Sequence, residues 1–211
     1  MIRLLIVDDH TIVRKGIRQL LEVTDDIRVE GEASQSSEMF NKLKEEEYDV
    51  ILLDISLPGR NGVETLKELQ EYHPNIPVLI LSMYPEEQYA LRVVKAGAAG
   101  FLSKNTAFEE LVNAIRTVAG GRKYISSSLA ETLAEHINES TETLEHHSLS
   151  DREFEVLKRI ASGQPLTDIA ANLSLSVKTI STYRSRILKK LGLKNNSEIV
   201  RYAMNHKLIN N

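Results

Sequence analysis

The sequence predicts an α/β fold, a doubly wound five-stranded parallel sheet, followed by a small all-α helix-turn-helix domain. Three observations carry this. Through residues 1–120, short apolar runs alternate with stretches of helical periodicity. One run, Val50-Ile51-Leu52-Leu53, is apolar at every position and bounded by Asp49 and Asp54, the pattern of a strand buried on both faces. The charge also reverses along the 211 residues: residues 1–120 hold 13 Lys and Arg against 20 Asp and Glu, 121–147 hold 2 against 5, and 148–211 hold 11 against 5. An acidic front and a basic back point to two domains, with nucleic acid as a partner of the second. Cysteine is absent, which fits a reducing cytosol. No apolar run approaches the ~18 residues of a membrane span, and residues 1–7 are too short and too soon acidic for a signal peptide. A cytoplasmic chain without membrane contact is expected.

The first strand is expected at residues 3–7. A helix follows over 11–23, with Ile12, Val13, Ile17, Leu20 and Leu21 at helical spacing. A strand at 27–33 leads to a helix at 36–46, and Glu45-Glu46-Glu47 reads as its solvated end. The strand ending at Asp54 gives way to the turn residues Pro58-Gly59 and a helix over 62–72, stopped by His73-Pro74. A strand at 77–81 precedes a helix at 86–95, ended by Gly97. The fifth strand, 100–103, precedes a helix at 108–119, with Thr106-x-x-Glu109 as its capping box and Gly120-Gly121 as its stop. Periodicity alone leaves the strand order open. The flavodoxin-like order 2-1-3-4-5, common for five strands, brings the ends of strands one and three together.

That order matters because strand one runs into Asp8-Asp9 and strand three into Asp54. Three carboxylates at one sheet edge need a counter-charge. A hard divalent cation such as Mg²⁺ supplies it, held by carboxylates, waters and a phosphate. Strand four ends in Ser82 and strand five in Ser103-Lys104, which adds a hydroxyl and an ammonium. A metal and a lysine bridging anionic oxygens is an arrangement for phosphoryl transfer, and a carboxylate can itself accept the phosphoryl group. His10, beside the two aspartates, reads as the start of the first helix rather than as a ligand.

Residues 1–120 resemble a response-regulator receiver domain through Leu5-Ile6-Val7-Asp8-Asp9-His10, Leu53-Asp54-Ile55-Ser56-Leu57-Pro58-Gly59, Leu81-Ser82 and Lys104. The resemblance implies that Asp54 accepts phosphate from a sensor histidine kinase. It further implies Mg²⁺ ligation by Asp9, Asp54 and the Ser56 carbonyl, with Asp8 acting through water, and contacts from Ser82 and Lys104 to the phosphoryl oxygens. Phe101 takes the switch-aromatic position, where the family most often has Tyr, and Asn105 stands where many receivers have Pro. Aspartyl-phosphate phosphatases of the haloacid-dehalogenase type also use a strand-end Asp and Mg²⁺. They place a second Asp two residues on, and here that residue is Ser56. The expectation is therefore no enzyme activity beyond phosphorylation and dephosphorylation of Asp54. A regulator that operates by dimerisation alone is the remaining alternative.

Residues 121–147 read as a linker. Leu129, Leu133 and Ile137 form one amphipathic helical stripe, and 138–148 is polar and acidic, with His146-His147 as linker residues. The domain at 148–211 opens with a capping box from Ser150 to Glu153 and a first helix with Phe154, Val156, Leu157, Ile160 and Ala161 inward. A short helix over 166–172 and the turn Leu173-Ser174-Leu175-Ser176 lead to a helix at 177–191, with Val177, Ile180, Ile187, Leu188 and Leu191 toward the core. A last helix covers 197–205. Two short helices, a tight turn and a long basic helix make a helix-turn-helix pattern.

This part resembles the LuxR-type DNA-binding domain of NarL/FixJ response regulators. The matching residues are Leu149-Ser150-x-Arg152-Glu153-x-Glu155-Val156-Leu157, Ile169-Ala170, Ser176-Val177-Lys178-Thr179-Ile180 and Ile187-Leu188-x-Lys190-Leu191. The resemblance implies double-stranded DNA, a homodimer joined through the last helix, and RNA polymerase as a further partner. Ser181, Thr182 and Ser185 are expected against base edges, Lys178 and Thr179 at the groove, and Arg184, Arg186 and Lys189 mainly on phosphates. Tyr183 stands where most relatives have His, and Ser181 and Ser185 where several have Lys.

Overall fold

The computed structural model describes residues 1–57, 61–83, 86–126, 129–130, 145–206 and 208–209. The chain divides into two compact units, Met1–Glu135 and His136–Asn211. In the first, strands β1 (Ile2–Val7), β2 (Ile27–Ala33), β3 (Val50–Asp54), β4 (Val78–Ser82) and β5 (Gly100–Ser103) lie parallel in the order β2-β1-β3-β4-β5. Helices α1 (Thr11–Leu21), α2 (Ser36–Glu45), α3 (Gly62–Tyr72), α4 (Glu86–Lys95) and α5 (Phe108–Ala119) alternate with them. β3 and β4 are buried at every position, which is why their sequences are apolar runs rather than alternations. On one face Ile17, Leu21, Leu111, Ile115 and Val118 from α1 and α5 pack on Leu4, Ile6, Leu52 and Leu79 of the sheet. Val7 pairs with Leu53, Asp54 with Leu81, and Ser82 with Ser103. The register therefore carries the ends of β1, β3, β4 and β5 to one edge.

Two local details depart from the simplest reading of the sequence. The apolar residues at helical spacing in α1 do not all reach the core: Ile12 is 86% exposed and Leu20 49%, while Ile17 and Leu21 are buried. The apolar residues of α1 occupy two faces, and the sheet covers one of them. Helix α5 starts after Ala107 with no side-chain cap. Thr106 sits one residue too early for a capping box, in a turn where its N–H donates to Ser103 O at 3.0 Å.

The described residues of the second unit open on a 3₁₀ turn, Glu145–Ser148, followed by α6 (Asp151–Ala161), α7 (Leu166–Asn172), α8 (Val177–Lys190) and α9 (Asn196–Asn205). The capping box on α6 forms: Ser150 Oγ accepts from Glu153 N–H at 3.3 Å, and Glu153 Oε2 accepts from Ser150 N–H at 2.8 Å. Phe154, Leu157, Ile169, Ile180, Ile187 and Ile199 make the core. Val177 remains 44% exposed at the first position of α8, where no earlier turn covers it. Ser174 turns the chain between α7 and α8 with φ 54°, a left-handed conformation uncommon for a side chain other than Gly, Asn or Asp. The linker reading of His146 is corrected. His146 is buried against Phe154 and Tyr202, its Nδ1 3.1 Å from the Tyr202 hydroxyl, because an imidazole both fills an apolar gap and meets a phenol. The turn Pro58-Gly59, and Leu133 and Ile137 of the linker stripe, lie outside the described residues.

Candidate functional site

At the carboxyl edge of the sheet, Asp8, Asp54 and Ser82 are almost fully buried. A buried carboxylate needs a partner, and Lys104 supplies one. Its Nζ lies 2.8 Å from Asp54 Oδ2 and 2.7 Å from Asp8 Oδ2, with the lysine side chain 5% exposed. Ser56 N–H donates to Asp54 Oδ1 at 3.1 Å, which holds Ser56 beside the carboxylate. Lys104 N–H in turn donates to Ser82 O at 2.8 Å, which ties the turn after β5 to the end of β4. Phe101 is wholly buried in β5 opposite Ile80.

Burial pushes the Asp54 carboxyl above its ordinary value in spite of Lys104. Burial also disfavours the Lys104 ammonium, but Asp54 and Asp8 outweigh that and hold it above the ordinary lysine value. One ammonium shared by two carboxylates, with Asp9 alongside, leaves a net negative pocket. Asp8, Asp9, His10 and Asp54 bring ligand atoms within 4.8 Å of one another. Asp8 Oδ2 is buried and accepts no hydrogen bond of proper geometry, since Lys104 meets it as an ion pair. Hard oxygen donors with spare acceptor capacity suit Mg²⁺. His10 is the N-cap of α1, and its Nδ1 lies 2.7 Å from Asp9 Oδ1.

Residues outside the sequence reading also shape this edge. Asn61 Oδ1 caps α3 by accepting from Val63 N–H at 2.8 Å. A Cβ on Gly62 would lie 2.5 Å from Ile55 Cα and 2.6 Å from Asp54 O, so only glycine lets α3 approach the acceptor loop. The Asn-Gly pair is a turn signal that could have flagged both. Arg14 reaches the Asp8 carbonyl at 2.5 Å, and no local pattern announces that.

In the second unit α8 presents a polar face opposite Ile180 and Ile187. Lys178, Thr182, Ser185, Arg186 and Lys189 are exposed there, with Ser181 half-buried at its border. Thr182 Oγ1 donates to Lys178 O and Ser185 Oγ to Ser181 O, each at 3.0 Å. Two expected contact residues are otherwise engaged. Thr179 Oγ1 lies 2.8 Å from Ser176 Oγ at the helix cap, and Arg184 Nε donates to Asn196 Oδ1 of α9 at 2.5 Å. Lys190 is held by Glu153 Oε2 at 2.6 Å.

Family models agree with this two-part arrangement. Residues 4–116 match the response regulator receiver domain, and residues 147–203 match the bacterial regulatory proteins of the luxR family. The chain is 37% identical over 211 residues to response regulator UvrY of Escherichia coli strain K12, covering 100% of this chain and 97% of that one. It is 37% identical over 214 residues to response regulator GacA of Pseudomonas viridiflava, covering 99% of this chain and 98% of that one. Among solved structures, RcsB of Salmonella enterica serovar Typhimurium, bound to promoter rprA with phosphomimetic BeF3-, superposes with a TM-score of 0.66 at 28% identity, covering 96% of this chain and 98% of that one.

Proposed function

The chain belongs to the response regulators that join a receiver domain to a LuxR-family DNA-binding domain to regulate transcription, and we propose that phosphorylation of Asp54 by a sensor histidine kinase is its input. The carrying observation is Lys104 Nζ, within 2.8 Å of Asp54 and 2.7 Å of Asp8 at the sheet edge. In the proposed step an Asp54 oxygen attacks the phosphorus of the kinase phosphohistidine. The new O–P bond forms as the N–P bond breaks, and the imidazole nitrogen keeps the electron pair. Asp8, Asp9, Asp54 and the Ser56 carbonyl would hold Mg²⁺, which neutralises phosphoryl oxygens when bound. Lys104 is already placed to follow the charge from carboxylate to phosphoryl oxygen, and Ser82 lies buried at the end of the neighbouring strand.

Drawing Ser82 and Lys104 toward a phosphoryl group pulls β4 and β5, with Phe101 packed inside β5. The phosphate thereby biases an existing equilibrium toward a dimer that sets two α8 helices on DNA, Lys178 and the hydroxyl row at the groove and Arg186 and Lys189 on phosphates. Such a dimer would act in the cytoplasm and meet RNA polymerase at promoters. Incubation with a small phosphodonor and Mg²⁺ tests the reading. It should add one hydrolysable HPO₃ to Asp54 and tighten DNA binding, with neither effect in Asp54→Asn. Phosphate release with sustained turnover, or DNA binding indifferent to Asp54→Asn, would overturn it.

A further inference from the structure

We propose that Arg14 is a positioning residue of the metal site, fixing the Asp8–Asp9 peptide so that both carboxylates face one cation. The proposal rests on the reading of Asp8 and Asp9 as Mg²⁺ ligands. Asp8 stands where the chain leaves β1, and two of its groups are held by backbone partners. Its N–H donates to Ala33 O of β2 at 3.1 Å, and its Oδ1 accepts from His10 N–H at 2.8 Å. Its carbonyl has left the strand ladder and enters no helical bond, since the first bond of α1 runs from Arg14 N–H to His10 O. The guanidinium of Arg14 fills that gap, with Nη1 donating to Asp8 O at 2.5 Å.

Arg14 is itself constrained. Its side chain is 13% exposed, and Nε donates to Glu32 Oε2 at 3.2 Å. The other oxygen of Glu32 accepts from Arg18 Nε at 2.6 Å, and Arg18 Nη1 donates to Val29 O at 3.0 Å. Glu32 thus grips two arginines from β2. Burial alone would raise its carboxyl, but Arg18 and Arg14 hold it below the ordinary value. The carbonyl that Arg14 anchors belongs to the peptide plane joining Asp8 to Asp9. Holding it fixes ψ of Asp8 and φ of Asp9, and hence the direction of the half-exposed Asp9 carboxylate. Ligand-orienting bonds of this kind are commonly worth 10–100-fold in metal affinity.

Positioning and simple electrostatics predict opposite signs. A guanidinium near a cation site repels the metal, so if its charge were all that mattered, removing it would tighten Mg²⁺ binding. If it positions the ligands, removing it loosens binding. Calorimetric titration of the full chain with MgCl₂, alongside thermal unfolding, separates these. Arg14→Met should weaken Mg²⁺ binding about tenfold, Arg14→Lys should recover most of the loss, and Glu32→Gln should fall between. Should Arg14→Met fail to fold, Arg14→Gln decides by the same titration, because it too removes the positive charge together with the guanidinium that holds the Asp8 carbonyl. Mg²⁺ binding in folded Arg14→Met as tight as in wild type, or tighter, overturns the assignment alone. Wild-type protein that takes up no Mg²⁺ overturns both this assignment and the metal reading beneath it.

Discussion

Asp8, Asp54 and Lys104 are buried and satisfy one another across three strand ends, whereas Lys178, Thr182, Ser185, Arg186 and Lys189 stand exposed on α8. The first group is self-referential: each charge is where it is because another charge in the chain needs it. The second group faces outward, and its hydroxyls donate only to the carbonyls one turn back in their own helix. A buried ion cannot be left unpaired, so residue type alone constrains its neighbours. An exposed polar side chain carries no such constraint, and its role is set by a partner outside the chain. Input chemistry is therefore more strictly determined by the fold than output specificity.

The largest effect should come from breaking the buried set. Lys104→Met leaves Asp8 and Asp54 facing each other without their counter-charge, and the loss of stability at neutral pH should be about 3 kcal/mol. Burial already raises the Asp54 carboxyl. A raised carboxyl takes up its proton first in the folded state, so the variant should regain stability as pH falls through the carboxylate range. Urea unfolding at pH 7 and near pH 4 checks this. Equal losses at both pH values would mean that Lys104 is not balancing charge, and the contrast between the two regions would fail.

Next in size are the effects on α8. Thr182 and Ser185 point their protons at Lys178 O and Ser181 O, so on the outer face of α8 they present acceptors, which on the proposed reading would meet DNA. In the major groove that favours the amino groups of adenine or cytosine. Thr182→Ala should shift preference by ~1–3 kcal/mol at one base pair. Lys189→Ala should weaken binding alike on specific and scrambled duplexes and lower the salt slope by about 1. Arg184→Ala should leave that slope nearly unchanged, because Arg184 is spent on Asn196. Binding measured across salt concentrations with both duplexes decides the matter. A full unit lost for Arg184 would return it to the phosphate contacts and widen the outward-facing face.

The same contrast explains what is legible in the sequence. β3 and β4 were legible because burial on both faces leaves a run of apolar residues, and Asp54 was conspicuous as the charge ending such a run. Legibility ended where a contact joins distant positions or where covering is incomplete. Ile12 and Leu20 are as apolar as core residues, but periodicity records apolarity and not what lies against it. His146 looked like linker because its partner Tyr202 lies 56 residues on. Nothing local singles out Arg14, because its meaning comes from Glu32, 18 residues on, and from a backbone carbonyl that no side-chain pattern marks.

Lys158 gives the sharpest and smallest test, because it is a buried charge away from both proposed sites. It lies on α6, 6% exposed, and burial lowers its ammonium from the ordinary 10.5 to about 7, with Glu155 partly opposing the shift and Arg159 adding to it. Glu155 already receives Arg152 at 2.9 Å and Arg159 at 3.3 Å, so its charge is divided among several cations. Between pH 7 and 10.5 the unfolded chain holds the lysine proton and the folded chain releases it. Stability should therefore rise with pH across that window and be most penalised below it. Lys158→Met keeps the apolar stem, removes the penalty and should stabilise the protein at neutral pH by on the order of 1 kcal/mol. It should also flatten the pH dependence and leave DNA binding and its salt slope as in wild type. Urea unfolding at pH 7 and 10, with the binding assay used for α8, gives all three readouts. A variant that is stabilised but unable to bind DNA would mean that burial marks function in this domain as it does around Asp54, and the line drawn between inward and outward charges would have to move to include α6.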